Sequence, residues 1–330
     1  MPRTALPEGR CRCGGAALGA LLALAGPAVG QPVQSALHPA GAEAAAIARL
    51  FWIMAGSGAA IWLVVMGFAI YAVLGRNRPR TERFADRFIL VGGVIFPTLT
   101  LAALLVFGLR LLPAWTGNQP PDLRVHVSAE QFWWRVTYET PDGRLIESAN
   151  EAHLPEGAVV EFVLTSPDVI HSFWIPALGG KMDAIPGRTN VLRLTPTRPG
   201  TYRGVCAEYC GLSHALMAFV VEVQPADVFA AWLADEAAPA KADAAPFRYA
   251  GCAACHSIRG VMEQGRSGPD LTHLASRRTI GAGTLPLTQA ALRDWLTATE
   301  AIKPDVHMPA FDMLPDAEID RLVAALMELR

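Results

Sequence analysis

Two uncharged runs, residues 50–75 and 88–109, constrain this chain more than any other feature. Each is long enough for a helix to cross about 30 Å of hydrocarbon at about 1.5 Å per residue, and the second helix reads on to residue 112. A composition of 52% hydrophobic against 18% charged residues suits a membrane-embedded hairpin. The segment between the runs, residues 76–87, carries Arg76, Arg78, Arg80, Arg83 and Arg87 against Glu82 and Asp86. The positive-inside rule makes it a cytoplasmic loop, so everything after Pro113 forms one extracytoplasmic head. Pro97 falls inside the second run, where a kink is tolerated if neighbouring groups satisfy the freed carbonyl. Before the hairpin, Arg3, Arg10 and Arg12 precede an uncharged Ala/Leu-rich stretch ending in Ala28-Val29-Gly30, so residues 1–30 read as an export signal that removes Cys11 and Cys13. A net charge of −2 without any basic run excludes nucleic acid as a partner.

The first part of the head, residues 118–224, shows short β-rich runs at 132–138, 159–164, 191–194 and 218–223. Turns such as Pro141-Asp142-Gly143 and Arg198-Pro199-Gly200 separate them, a pattern of a β-sandwich or barrel. Near its end stand Cys206, Glu208, Cys210, His214 and Met217, with His171 upstream after Asp168. Two thiolates, two imidazoles and a thioether form a soft donor set that selects copper over hard cations. A disulfide would leave His171, His214 and Met217 unexplained, and a Cys2His2 zinc site would not need Met217. A mononuclear blue-copper site needs only one cysteine. The second thiolate points to two bridged coppers, which share one electron with little change of geometry and so serve electron transfer.

These residues resemble cytochrome c oxidase subunit II over about residues 45–225: the two spans, Gln131-Phe-Trp-Trp134, the segment Asp168–Pro176, the segment Lys181–Arg188 and the cysteine loop. The resemblance implies a cupredoxin-like β-barrel holding a dinuclear copper A centre. Its ligands would be His171, Cys206, Cys210, His214 and Met217, with Glu208 binding through its backbone carbonyl. It further implies a magnesium ion shared between the Glu208 side chain and subunit I. The tryptophan through which many members take electrons from soluble cytochrome c is replaced by Phe132. The acidic residue linked in the family to proton uptake is replaced by apolar residues around Phe88, so no proton-path residue is carried over.

Residues 225–246 read as a linker, with the Ala/Pro-rich 236–246 as a semi-flexible tether. Beyond it Cys252-Ala-Ala-Cys255-His256 is the attachment signature of a covalent haem c: two thioether links and an adjacent proximal histidine. Met308 is the expected second axial ligand, with His307 and Met313 as alternatives, because Met/His ligation raises the potential as an electron relay requires. Ile319, Leu322, Val323, Leu326 and Leu329 recur at helical spacing, and residues 247–330 look like an all-α class I cytochrome c in which Gly268-Pro269 supports the proximal histidine. His38, His126, His153 and His273 lack Cys or Met companions and read as structural.

The expected architecture is therefore a multidomain membrane protein: a transmembrane hairpin, a copper barrel and a fused cytochrome. The resemblance implies subunit II of a bacterial haem-copper oxidase, a translocase that reduces oxygen in subunit I. Electrons would run from a donor cytochrome c or a quinol-oxidising complex to the haem, then to the copper pair, then to subunit I. Subunit III is a further expected partner, and the expected location is the bacterial inner membrane with both soluble domains periplasmic. The alternative is the equivalent subunit of a copper-A nitric oxide reductase.

Overall fold

The structure, a computed structural model, describes residues 34–75, 81–116 and 120–330. The expected export signal and the arginines at 76, 78 and 80 lie outside the described residues. Helix α1 spans Ala42–Leu74, and α2 (Glu82–Leu90) runs through a π-helical turn (Val91–Ile95) into α3 (Phe96–Thr116). Ala42–Leu74 and Glu82–Arg110 are long and apolar enough to cross a membrane. Phe68 of α1 meets Phe88 of α2 edge-on at 5.4 Å between ring centroids. The distortion near Pro97 takes the form of the π turn, which contains Gly92 and Gly93, because proline has no N–H for the carbonyl four residues back. The start of α1 is fastened to the head. The Glu43 carboxylate accepts from the backbone N–H of Thr195 at 2.8 Å and from its hydroxyl at 3.2 Å, while Ala40, Ala44 and Ala48 are buried.

Ten strands follow: β1 (Leu123–Glu130), β2 (Trp133–Glu139), β3 (Leu145–Ala149), β4 (Glu151–Pro155), β5 (Val160–Thr165), β6 (His171–Trp174), β7 (Met182–Ala184), β8 (Asn190–Leu194), β9 (Gly200–Cys206) and β10 (Ala218–Gln224). They form two five-stranded sheets in the orders β3-β2-β1-β5-β8 and β4-β10-β9-β6-β7. The alternation of β1 and β2 buries every second side chain between the sheets, as a two-layer fold requires. Trp134, Phe162, Phe173 and Phe219 fill the centre, the last two stacked at 4.7 Å.

The segment 225–246, expected as a linker, is half helix: α4 covers Ala226–Glu236. Phe229 and Trp232, three residues apart on one face, hold it to the sandwich. Phe229 is buried, and the Trp232 ring stacks on His153 at 3.9 Å. The C-terminal domain then comprises α5 (Ala245–Tyr249), a two-residue strand pair β11 (Thr279–Ile280) and β12 (Leu285–Pro286), α6 (Gln289–Thr297), α7 (Thr299–Ile302) and α8 (Asp316–Met327). Thr288 caps α6 by accepting from the Ala291 N–H at 3.1 Å. Ile319, Leu322, Val323 and Leu326 form the buried face of α8, and Leu329 beyond its end is also buried.

This domain is seated on the sandwich by many bonds. Glu151 of β4 accepts the backbone N–H groups of Arg278 and Thr279 at 2.6 and 3.2 Å, and Arg278 pairs with Glu222 of β10. Arg259 donates to the Glu147 carbonyl at 3.0 Å, and Arg135 donates to the Arg266 carbonyl at 2.6 Å.

Candidate copper and haem sites

The copper loop is the connection from β9 to β10, and His171 opens the neighbouring strand β6. Pairing of Phe173 with Cys206 across β6 and β9 brings His171 to the loop. His171 Nδ1 lies 3.8 Å from Cys206 Sγ, His214 Nδ1 lies 3.6 Å from Cys210 Sγ, and the two sulfurs are 3.9 Å apart. That separation is about twice a disulfide bond, and both cysteines are free. Met217 Sδ is 3.8 Å from Cys210 Sγ, and the Glu208 carbonyl oxygen is 3.2 Å from Cys206 Sγ. Each sulfur thus has one imidazole, with the thioether on one side and the carbonyl on the other. His171, Cys206, Cys210 and Met217 are buried, so the donors face one another in a dry setting.

The donor groups perturb one another's titration. The hydrogen bond from Cys210 draws the Cys206 pKa well below the ordinary thiol value against the effect of burial, with His171 helping. The same bond and burial push Cys210 up. Burial works against a charged His171 ring, but its bonds with Cys206 and Asp168 raise its pKa above the ordinary value. Asp168 Oδ1 accepts from His171 Nε2 at 2.8 Å, which turns Nδ1 toward the sulfurs. Gln131 donates its Nε2–H to the Cys210 carbonyl at 2.5 Å and its backbone N–H to Asp168 at 2.7 Å.

In the C-terminal domain Cys252, Cys255, His256, Met308 and His307 line one cavity of about 250 Å³. Met313, the other alternative, is 74% exposed and lies outside it. The Pro269 carbonyl accepts from His256 Nδ1 at 2.8 Å, so that nitrogen carries the proton and Nε2 is left as a lone-pair donor. A side chain at Gly268 would meet the His256 ring at 2.6 Å, which explains glycine in this supporting loop. Two cavity-lining polar atoms, Arg277 Nε and Thr279 Oγ1, are buried without a protein partner. A haem carries two propionates, so a guanidinium with a spare Nε–H, its Nη2 donating to the Asp270 carbonyl at 2.6 Å, and a free hydroxyl fit the group that the cysteine signature implies. Gln131, Phe132 and Trp133 of the sandwich line the same cavity, and Phe132 is only 2% exposed.

The remaining histidines have other partners: His126 with Glu139 at 3.0 Å, His273 with the Ala238 carbonyl at 3.0 Å, and His38 with Ser35 at 2.9 Å. Sequence reasoning did not single out Gln131, Arg277 or Lys303 as site residues, and each is defined by contacts across the fold rather than by local spacing.

The family model described as cytochrome c oxidase subunit II, periplasmic domain, matches residues 135–224, and the model described as cytochrome c matches residues 244–330. The cytochrome c oxidase subunit 2 of Alkalihalophilus pseudofirmus is 31% identical over 253 residues, covering 71% of this chain and 72% of the relative. The chain belongs to the cytochrome c oxidase subunit 2 family. The subunit 2 of Bacillus sp. is 36% identical over 225 residues, 62% of each chain. The periplasmic domain of cytochrome oxidase subunit II of Bradyrhizobium japonicum is 30% identical with a TM-score of 0.34, covering 36% of this chain and 95% of that one. Membership in this family of oxidoreductase subunits implies a copper A centre in the β-sandwich, and the cytochrome c domain implies haem. With its two apolar helices, the chain is a membrane protein.

Proposed function

We propose that this chain is the electron-input subunit of a bacterial haem-copper oxidase, in which one electron at a time enters at the C-terminal domain, moves to the copper loop and leaves for subunit I, where oxygen is reduced with proton translocation. The observation that carries this reading is the shared wall: Gln131 and Phe132 line the haem cavity, and Gln131 also donates to the carbonyl of Cys210. When bound, a haem c and a copper pair would each supply a one-electron carrier whose geometry changes little on reduction.

Cys252 and Cys255 would hold the porphyrin, His256 and Met308 would bind its iron, and Arg277 and Thr279 would receive its propionates. His171, Cys206, Cys210, His214, Met217 and the Glu208 carbonyl would hold the copper pair. Asp168 orients His171, and the Pro269 carbonyl orients His256. On the copper loop Tyr209 and Leu212 are 72% and 73% exposed, an apolar tip suited to a partner subunit. Glu208 is also exposed on this tip, available to a magnesium ion shared with subunit I. In this reading α1 and the α2–α3 helix span the inner membrane, residues 76–87 are cytoplasmic, and both soluble domains are periplasmic. Subunit III and a donor cytochrome c or quinol-oxidising complex complete the set of partners.

Truncation after Ala237 tests the route. It removes the haem domain and keeps α4, so the copper centre and assembly with subunit I should survive. Oxidation of the natural donor should fall at least tenfold. Full-rate oxidation by the truncated complex would make the haem an accessory and defeat this reading.

A further inference from the structure

Lys303 is 2% exposed, among the largest fully buried side chains of the protein. It follows α7 of the C-terminal domain, and its side chain reaches across to the sandwich. Its Nζ donates to the carbonyls of Phe132 at 2.7 Å, Gly281 at 2.7 Å and Leu216 at 3.0 Å. An ammonium has three N–H donors, so three carbonyls satisfy it completely, and a buried charge is sustained only when it is paired or hydrogen-bonded in this way. Burial works against its charge, and the three carbonyls are what hold the ammonium in place.

The identity of the acceptors gives this lysine its meaning. Phe132 follows Gln131, which holds the Cys210 carbonyl, and Leu216 precedes Met217. Both acceptors on the sandwich therefore adjoin copper-loop elements. The third, Gly281, belongs to a turn of the haem domain in which Gly281, Ala282 and Gly283 have φ of 62°, 60° and 76°. This left-handed turn faces the same seam, because the Ala282 carbonyl accepts from the Ala218 N–H at 3.0 Å. Lys303 also lines the haem cavity, so it occupies the partition between the two sites.

We propose that Lys303 is a positioning residue, whose ammonium clasps the haem domain onto the copper loop and fixes the separation of the two redox sites. Its functional meaning rests on the electron route proposed above, and the clasp itself rests on geometry alone. Ser213 and Thr284 add bonds to the Pro304 and Leu216 carbonyls along the same seam, whereas Arg259 grips the Glu147 carbonyl of β3, away from the copper loop.

The test uses the full-length chain, loaded with haem and copper in detergent, with a protease site inserted after Lys241. After cutting, the native haem domain should stay bound to the remainder. In Lys303→Met its retention should weaken at least tenfold, while copper and haem contents stay native. In the uncut protein, flash photoreduction of the haem should show transfer to copper slowed at least tenfold in Lys303→Met. Arg259→Gln should loosen the cut domain without an equal loss of the uncut rate, and Lys303→Gln, which keeps an N–H donor, should fall between native and Met. Native retention and a native rate in Lys303→Met would overturn the proposal, as would failure of both Lys303 variants to load the two cofactors. Release of the cut domain with an unchanged rate in the uncut protein would overturn the role of Lys303 in fixing the separation of the sites, whereas no haem-to-copper transfer in the native protein would overturn the electron route.

Discussion

At the copper loop, single atoms decide what the donor set can do. Asp168 does not face the cavity between the sulfurs, yet it fixes which nitrogen of His171 does. Outer partners of this kind typically change metal affinity about 10–100-fold. Asp168→Asn should therefore weaken copper binding by that factor in competition with a chelator, with the β-sandwich intact by circular dichroism. An unchanged affinity would reduce Asp168 to a turn residue that accepts from Gln131 and Val169. The clustering of Cys206, Cys210, His214 and Met217 is legible in the sequence because they share one loop, and spacing along a loop survives folding. His171 was legible only through its motif, since strand pairing and not proximity in sequence delivers it. Arg277 and Lys303 carried no local signal: a basic residue in a polar stretch looks solvated until the opposing domain covers it.

At the scale of elements, the edge between β4 and the haem domain holds a carboxyl under strain of charge. Burial pushes Glu151 up to about 7 from an ordinary value of 4.5, despite the N–H groups of Arg278 and Thr279 and the nearby Arg277. A carboxyl whose folded pKa is raised stabilises the fold below the unfolded value and loses that contribution as pH rises through the folded value. The window is about pH 4.5 to 7, and the difference corresponds to about 3 kcal/mol. Glu151→Gln keeps an oxygen for the two N–H groups and removes the charge. Unfolding measured from pH 5 to 8 should show the variant gaining about 3 kcal/mol over native by pH 8, with little gain at pH 5. The difference between the proteins is the diagnostic, because His153, lowered by burial to about 4, acts in the opposite direction in both. The sequence reveals four of the ten sandwich strands as β-rich runs between turns, and the α8 face through a period of 3.6. It did not reveal α4 as a packed helix, because Phe229 and Trp232 lie among alanines that read equally well as linker.

For the molecule as a whole, order along the chain announced the parts but not their contact. A tether of about a dozen residues predicts delivery by high effective concentration, with rates that fall as the tether lengthens. The seated domain behaves otherwise. Residues 237–244 are all that joins α4 to α5, and their neighbours on both sides are already held. Doubling the length of a loop costs only about 0.6 kcal/mol of closure entropy. Ten Gly/Ser residues inserted after Lys241 should leave the haem-to-copper rate in flash photoreduction within twofold of native, whereas a freely swinging domain would slow measurably. On the proposed route the covalent join then serves stoichiometry more than kinetics: every copper site would be made with its own donor in the same act of translation, and drift in the joining sequence would carry little penalty so long as the seat is kept.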